Sequence, residues 1–201
     1  MVEPAVGVME KEQEFLRRFA AALEALPFDL KTVVGAVSEP DLAEGAREVA
    51  AGAVIHVINP KDRHFEPSLR HSEDVVLLRM ALKRVIDLGG DGAADFQTRR
   101  IESFSALDSD LALFRSSLGD DVMDWLEGRF ATMKKGVFGK KTVAMYIADD
   151  ELGIALYDAA VEFATDYPIA EGALADRLKQ AQPIVEHLRR KMEQDRMKIG
   201  H

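Results

Sequence analysis

The sequence GAVIHVINPKDRHFEPSLRHSEDVVLLRMALKRVIDL, residues 52–88, places two strongly apolar segments on either side of a charged elbow that contains two prolines. In the second segment, the charged side chains follow one narrow stripe at helical spacing, formed by Arg79, Lys83, Arg84 and Asp87. A helix that is apolar on all its other sides is typically buried inside a protein. These residues therefore predict an all-α fold with a helical hairpin at its centre.

Composition and charge limit the classes of protein that the chain can belong to. Its 201 residues are 47% hydrophobic, which is enough for a sizeable core, and they include no cysteine, which excludes disulfides and thiolate metal sites. The formal charge of −9 disfavours nucleic acid as a partner, because that binding depends on Lys and Arg neutralising phosphates. The first residues lack the pattern of a secretory signal, so we expect a cytoplasmic protein. We also expect that the protein needs no cofactor.

Apolar residues at three- and four-residue steps predict further helices on both sides of the hairpin, about seven or eight in all. Pro27 is predicted to end the first helix, and residues 28–37 stay open between helix and strand, with helix favoured. Ser38 and Asp41 have the spacing of a capping box, which predicts the start of the next helix, and Asn59 before Pro60 predicts its end.

The second half continues the helical pattern after a Gly- and Asp-rich stretch at residues 89–95. We predict a single globular helical bundle over residues 1–201, although this stretch leaves a two-lobed arrangement open. An apolar stripe over residues 101–118 predicts one helix, and Trp125 is predicted to lie in the core. Residues 142–166 have a helical pattern with a break near Asp149, although residues 141–148 alternate enough to leave a strand open.

The elbow carries a short motif that is shared with a known family. Pro60 and Asp62 form a Pro-x-Asp step after the first apolar segment, Pro67 follows, and Glu73 with Asp74 opens the segment VVLLRMAL. In this order, over residues 44–86, the chain resembles the YkvA-like bacterial family of unknown function. The resemblance implies a helical hairpin, no established activity and, for many members, a location at membranes. Because the elbow of this chain is charged, we do not expect it to attach to a membrane.

Histidines and carboxylates gather around the elbow, and these are the ligands that a divalent transition metal needs when cysteine is absent. The candidate metal ligands are His56, Asp62, His64, His71 and Asp74. None of them has the spacing of a known metal motif. The simpler interpretation is that Glu73 and Asp74 stabilise a helix by lying at the positive end of its dipole, and that His56 lies at the edge of the core.

Two further features are candidate binding sites. Lys140 and Lys141, in the sequence GVFGKKT, are candidate anion-binding residues, because glycine amides and a lysine before a helix can hold a phosphate. An apolar seam near the C-terminus predicts a heptad-like helix that could pair with a partner or a second copy, and its interaction candidates are Leu178, Val185, Leu188 and Met192. Pro183 predicts a kink or a restart within it. The alternative is a terminal helix that folds back on its own domain.

The sequence therefore favours a non-enzymatic helical module that binds a protein partner, or itself as a homodimer. The alternative is a metal-dependent enzyme or metal-binding regulator that uses the histidines and carboxylates of the elbow.

Overall fold

The computed structural model describes residues 4–59, 67–174 and 178–199. Their helices are α1 (Pro4–Val37), α2 (Glu44–Ile58), α3 (Pro67–Arg70), α4 (Ser72–Leu88), α5 (Ala93–Arg99), α6 (Ile101–Phe104), α7 (Leu107–Leu118), α8 (Asp120–Met133), α9 (Val143–Ala148), α10 (Asp150–Thr165) and α11 (Gln182–Ile199), with a 3₁₀ turn at Gly90–Gly92. In the described residues, strands β1 (Val137–Phe138) and β2 (Lys141–Thr142) form one antiparallel hairpin. The predicted all-α class is confirmed.

Helix α4 lies at the centre of the fold, as the sequence predicts. Every residue from Ser72 to Leu82 is buried, because α1, α2, α7 and α8 surround the helix. Helix α2 comes very close to the end of α8, since a Cβ at Gly52 would lie 2.7 Å from the carbonyl oxygen of Met133. Glycine is therefore required at this position, whereas a Cβ at Gly45 would contact nothing within 4 Å.

Pro27 does not end the first helix, so that prediction is wrong. Helix α1 runs through it to Val37, and this confirms the helical alternative for residues 28–37. Proline has no amide hydrogen to donate to the carbonyl of Leu23, four residues earlier. The hydroxyl of Tyr167 donates to this carbonyl instead, over 2.8 Å. A side chain 144 residues away thus satisfies the backbone group that Pro27 leaves without its helical partner.

The predicted start of α2 is also wrong, because the capping box at Ser38 and Asp41 does not form. Helix α2 starts at Glu44, after Ala43, which has no side-chain capping bond. The preceding residues form a turn that is held from outside the helix, since the amide of Ala43 donates to the carbonyl of Gly89 over 3.1 Å. The predicted end is confirmed, with Asn59 in extended conformation after Ile58.

Two other predicted helices need correction, and the open alternative for residues 141–148 is decided. The apolar stripe at residues 101–118 is divided between α6 and α7. Residues 141–148 begin as β2 and continue as α9. Helix α11 starts only at Gln182, with Pro183 in its first turn, where a proline amide would have no partner in any case. This confirms the restart at Pro183, but Leu178 lies outside the helix, so the predicted heptad seam is shorter than expected.

Both halves of the chain contribute to one cluster of buried apolar residues, which extends in sequence from Phe15 to Met192. Helix α10 packs along α1, and α11 packs across α3, α4 and α8. Among the described residues, no helix is both long and apolar enough to cross a membrane.

Candidate functional site

A cleft of about 840 Å³ lies between α2, α8 and α11, and we refer to it as the cleft. Its apolar lining comes from Ile55, Trp125 and Met133. Gly128 also lines it, and a Cβ at this position would meet nothing within 4 Å, so the space above the glycine is open. A concave, mainly apolar site of this size is typical of ligand or partner binding.

Trp125 lies at the edge of the core and not inside it, which corrects the prediction for this residue. Its side chain is only partly buried and forms part of the cleft wall. The guanidinium of Arg129 lies 5.3 Å from the centre of its ring, four residues later on the same face of α8. Tryptophan and arginine together at the centre of a concave surface are common where proteins bind partners.

The buried carboxylate of Glu73 lies behind the cleft wall, and we call Glu73, His56, Arg129 and Lys191 the Glu73 cluster. The side chain of Glu73 is 2% exposed. Its Oε1 lies 3.3 Å from Nε2 of His56 and 3.2 Å from Nε of Arg129, and its Oε2 accepts a hydrogen bond from Nζ of Lys191. Four helices, α2, α4, α8 and α11, each contribute one member.

The groups around Glu73 determine its charge. Burial raises the pKa of this carboxyl, but the hydrogen bond from His56 and the charges of Lys191, His56 and Arg129 outweigh burial and hold the pKa well below its usual range. Glu73 is therefore ionised at neutral pH, and its charge is neutralised inside the protein. Arg129 also pairs with Asp195 of α11.

Asp74, next to Glu73, belongs to a second buried pair. Its Oδ2 lies 3.0 Å from Nδ1 of His71, and the guanidinium of Arg70 lies 2.8 Å from the other ring nitrogen, Nε2. Because a guanidinium can only donate, Nε2 accepts, and the proton of a neutral His71 must be on Nδ1, from which it is donated to Asp74. Both nitrogens of His71 are thus engaged.

The structure brings together three of the five predicted metal ligands. Nε2 of His56 is 3.7 Å from Oδ1 of Asp74, which also contacts His71 through its other oxygen. Asp62 and His64 lie outside the described residues. Within the described part of the chain, no group of three or more His, Asp or Glu side chains is arranged to hold a metal ion. Metal binding by the full set stays a prediction.

Lys140 and Lys141 lie in the β-hairpin and not in a loop that leads into a long helix. Gly139 and Lys140 both have positive φ, 54° and 66°, and form the two-residue turn between β1 and β2. Positive φ at both positions is typical of a type I′ turn. The glycine therefore serves the turn, and the amide of Gly136 is already bonded to the carbonyl of Met133.

The residues of the C-terminal seam lie against their own chain. Leu188 and Met192 are buried, and Leu178 and Val185 are half-buried against the same core. This packing is what the fold-back alternative predicts. Pairing with another chain through the C-terminal helix stays a prediction.

Sequence reasoning missed Arg129 and Lys191 as members of the site. Lys191 is 118 residues from Glu73, and Arg129 comes from a different helix again. Neither position has a local pattern that distinguishes it from an ordinary surface base. The sequence feature that could have revealed the site is the pair of consecutive acids, Glu73 and Asp74, at the start of a mostly buried helix.

No protein-family model matches the chain, and neither a curated protein nor a solved structure gives a match.

Proposed function

We propose that the protein is a non-enzymatic interaction module, and that its cleft binds the apolar face of an amphipathic helix from a partner protein. One observation carries this proposal: the charged side chains around Glu73 neutralise each other, while apolar surface in the cleft remains open. Arg129 is engaged by Glu73, Asp195 and the Trp125 ring, so its charge is already compensated. A ligand that enters the cleft thus meets the half-buried Trp125 and the small exposed parts of Ile55 and Met133, which are 1% and 6% exposed.

The rim of the cleft supports a protein partner. Asp121 and Asp124 of α8 and Arg196 and Lys198 of α11 are exposed and line the cleft. An apolar centre with an aromatic residue and an arginine, surrounded by charges of both signs, is the usual composition of a protein interface. Apolar grooves between helices commonly accept the apolar face of another helix. Cytoplasmic location and the YkvA-like relationship stay predictions alongside this proposal.

The test uses Trp125, which is the only tryptophan of the chain and so reports directly on the cleft. The probe is a synthetic amphipathic helix with leucine at helical spacing and uncharged polar residues elsewhere. We expect it to change the fluorescence of Trp125 in a saturable way. Gly128→Leu fills the open space in the cleft and should weaken binding by about tenfold or more, which corresponds to about 1.4 kcal/mol.

Gly45→Leu is the matched control, because Gly45 is also a helical glycine with nothing near its Cβ and it does not line the cleft. This variant should bind the probe like the wild-type protein. The proposal is wrong if the probe leaves the wild-type fluorescence unchanged, or if Gly128→Leu and Gly45→Leu bind it equally well.

A further inference from the structure

The outward face of α10 has a different character from the cleft. Ile154 is 61% exposed and Tyr157 is 44% exposed. They are three residues apart and so are neighbours on the helix, with the half-buried Val161 one turn beyond Tyr157. Single exposed apolar residues are ordinary, but adjacent large ones on one face of a helix are typical of a contact surface.

All charges of α10 are negative. The helix contains Asp150, Glu151, Asp158 and Glu162, all exposed, and no Lys or Arg. We call these four acids, together with Ile154 and Tyr157, the α10 face. Among the described residues, no Lys or Arg makes an ion pair with any of the four acids.

The stability of α10 does not explain why all of its charged side chains are negative. Acids in the first turn interact favourably with the positive end of the helix dipole. Asp149 already caps α10 by accepting hydrogen bonds from the amides of Glu151 and Leu152. Asp158 lies in the middle of the helix, and Glu162 lies in its last turn, where a negative charge is unfavourable. Their charges are therefore available for a partner.

We propose that the α10 face is a second docking surface, and that it binds a basic amphipathic segment of a partner protein. The apolar side chains of that segment would cover Ile154 and Tyr157, while its Lys and Arg side chains would pair with Asp158 and Glu162. Charge complementarity of this kind selects the partner and increases the association rate.

The same charges exclude two other occupants. A second copy of this chain, docked through the same face, would place two acidic faces against each other, in a protein whose net charge is already −9. An anionic membrane surface would be repelled for the same reason. The face is also separate from the cleft, because no residue of α10 lines the cleft.

The experiment measures the binding of a fluorescent synthetic helix, with leucine at helical spacing and lysine elsewhere, by fluorescence anisotropy. Every protein in it carries Gly128→Leu, so that the filled cleft does not contribute to the binding of an amphipathic helix. A second peptide in which glutamate replaces every lysine should not bind. The double variant Asp158→Lys, Glu162→Lys should weaken binding of the lysine peptide by about tenfold or more, because two attractive contacts become repulsive. Ile154→Ser with Tyr157→Ser should also weaken it, through loss of apolar contact.

Glu10→Lys with Glu102→Lys is the matched control, since both acids are exposed on other helices and the variant changes the net charge by the same amount. If both charge-reversal variants weaken binding equally, the peptide responds only to net charge and the proposal is wrong. It is also wrong if the parent Gly128→Leu protein does not bind the lysine peptide, or if the serine variant binds it unchanged. Binding in the Gly128→Leu background separates this surface from the cleft.

Discussion

At the scale of single residues, Pro27 shows how a local defect is repaired by a distant side chain. Tyr167→Phe removes the hydroxyl that donates to the carbonyl of Leu23. We expect it to lower the free energy of unfolding by about 1–2 kcal/mol, because a backbone carbonyl loses its partner. In a Pro27→Ala background the cost should be smaller, since alanine at this position supplies the missing amide hydrogen. Urea denaturation of the four proteins gives the coupling energy.

Tyr146→Phe is the control for this cycle. Its hydroxyl also donates to a backbone carbonyl, that of Phe138, over 2.9 Å, but this carbonyl has no relation to Pro27. The free energy of unfolding lost by Tyr146→Phe should be the same with proline or alanine at position 27. Equal costs of Tyr167→Phe in the two backgrounds would show that Tyr167 does not compensate for the proline.

Asp29 is a buried carboxylate that makes stability depend on pH. It is 1% exposed and lies 2.9 Å from Nε of Arg79. Burial raises its pKa to about 6, although the charge of Arg79 opposes this. The native state therefore binds a proton more tightly than the unfolded chain, and the free energy of unfolding falls as pH rises through this range.

We expect the wild-type protein to lose about 2 kcal/mol relative to Asp29→Asn between pH values near 4 and 7, from a difference of about two pKa units, part of which already acts at pH 4. Urea denaturation across this range measures it. Asp158→Asn, which changes an exposed aspartate, should follow the wild-type curve. Parallel curves for the wild-type protein and Asp29→Asn would contradict the assignment.

At the scale of helices, Arg47 of α2 connects the C-terminal ends of α1 and α9. It extends from α2, and its guanidinium donates to the carbonyls of Val37 in α1, over 2.8 Å, and Ile147 in α9, over 2.5 Å. The last carbonyls of a helix have no partner within it. One side chain thus compensates for the absence of basic residues in the last turns of both helices.

Arg47→Ala should lower the free energy of unfolding by about 2–3 kcal/mol, because hydrogen bonds from a charged donor are lost to two carbonyls. Amide hydrogen exchange should accelerate in α9 and at the end of α1. Arg99→Ala, which removes an exposed guanidinium that pairs with Glu39 and Asp95, should cost much less than Arg47→Ala, because solvent screens its charge. Similar costs for the two variants would contradict this role of Arg47.

At the scale of the whole molecule, the Glu73 cluster connects four helices around one buried charge. Glu73→Gln leaves Arg129, Lys191 and His56 without the carboxylate that they share. We expect a loss of about 3 kcal/mol at neutral pH, which is the usual cost of breaking a buried pair. Hydrogen exchange should increase in α11, because Lys191 is lost as a point of attachment to α4.

This loss should depend on pH in the direction opposite to that of Asp29. The pKa of Glu73 is lowered on folding, so the ionised carboxylate stabilises the protein at neutral pH, and this stabilisation disappears as pH falls through the folded-state pKa. The difference between the wild-type protein and Glu73→Gln should therefore shrink in acid. A difference that stays constant down to strongly acidic pH would contradict the lowered pKa.

The sequence alone determined the elements that local chemistry specifies. The apolar run of α4 predicted a buried central helix, and Asn59 before Pro60 predicted a helix end that the structure confirms. These signals depend on hydrophobic periodicity and on backbone preferences within a few residues. Where a distant group supplied the missing contact, as Tyr167 does for Pro27 and Gly89 does for Ala43, local reasoning placed the boundary wrongly.

Only the tertiary structure decided the composition of the candidate site. The sequence identified His56, His71 and Asp74 as residues of interest, but it could not show that Arg129 and Lys191 neutralise Glu73 from other helices. Burial makes an unpaired charge costly, so the carboxylates of α4 need partners from whichever helices surround them. Which helices these are depends on packing over the whole chain, and the open cleft beside the cluster arises from that packing.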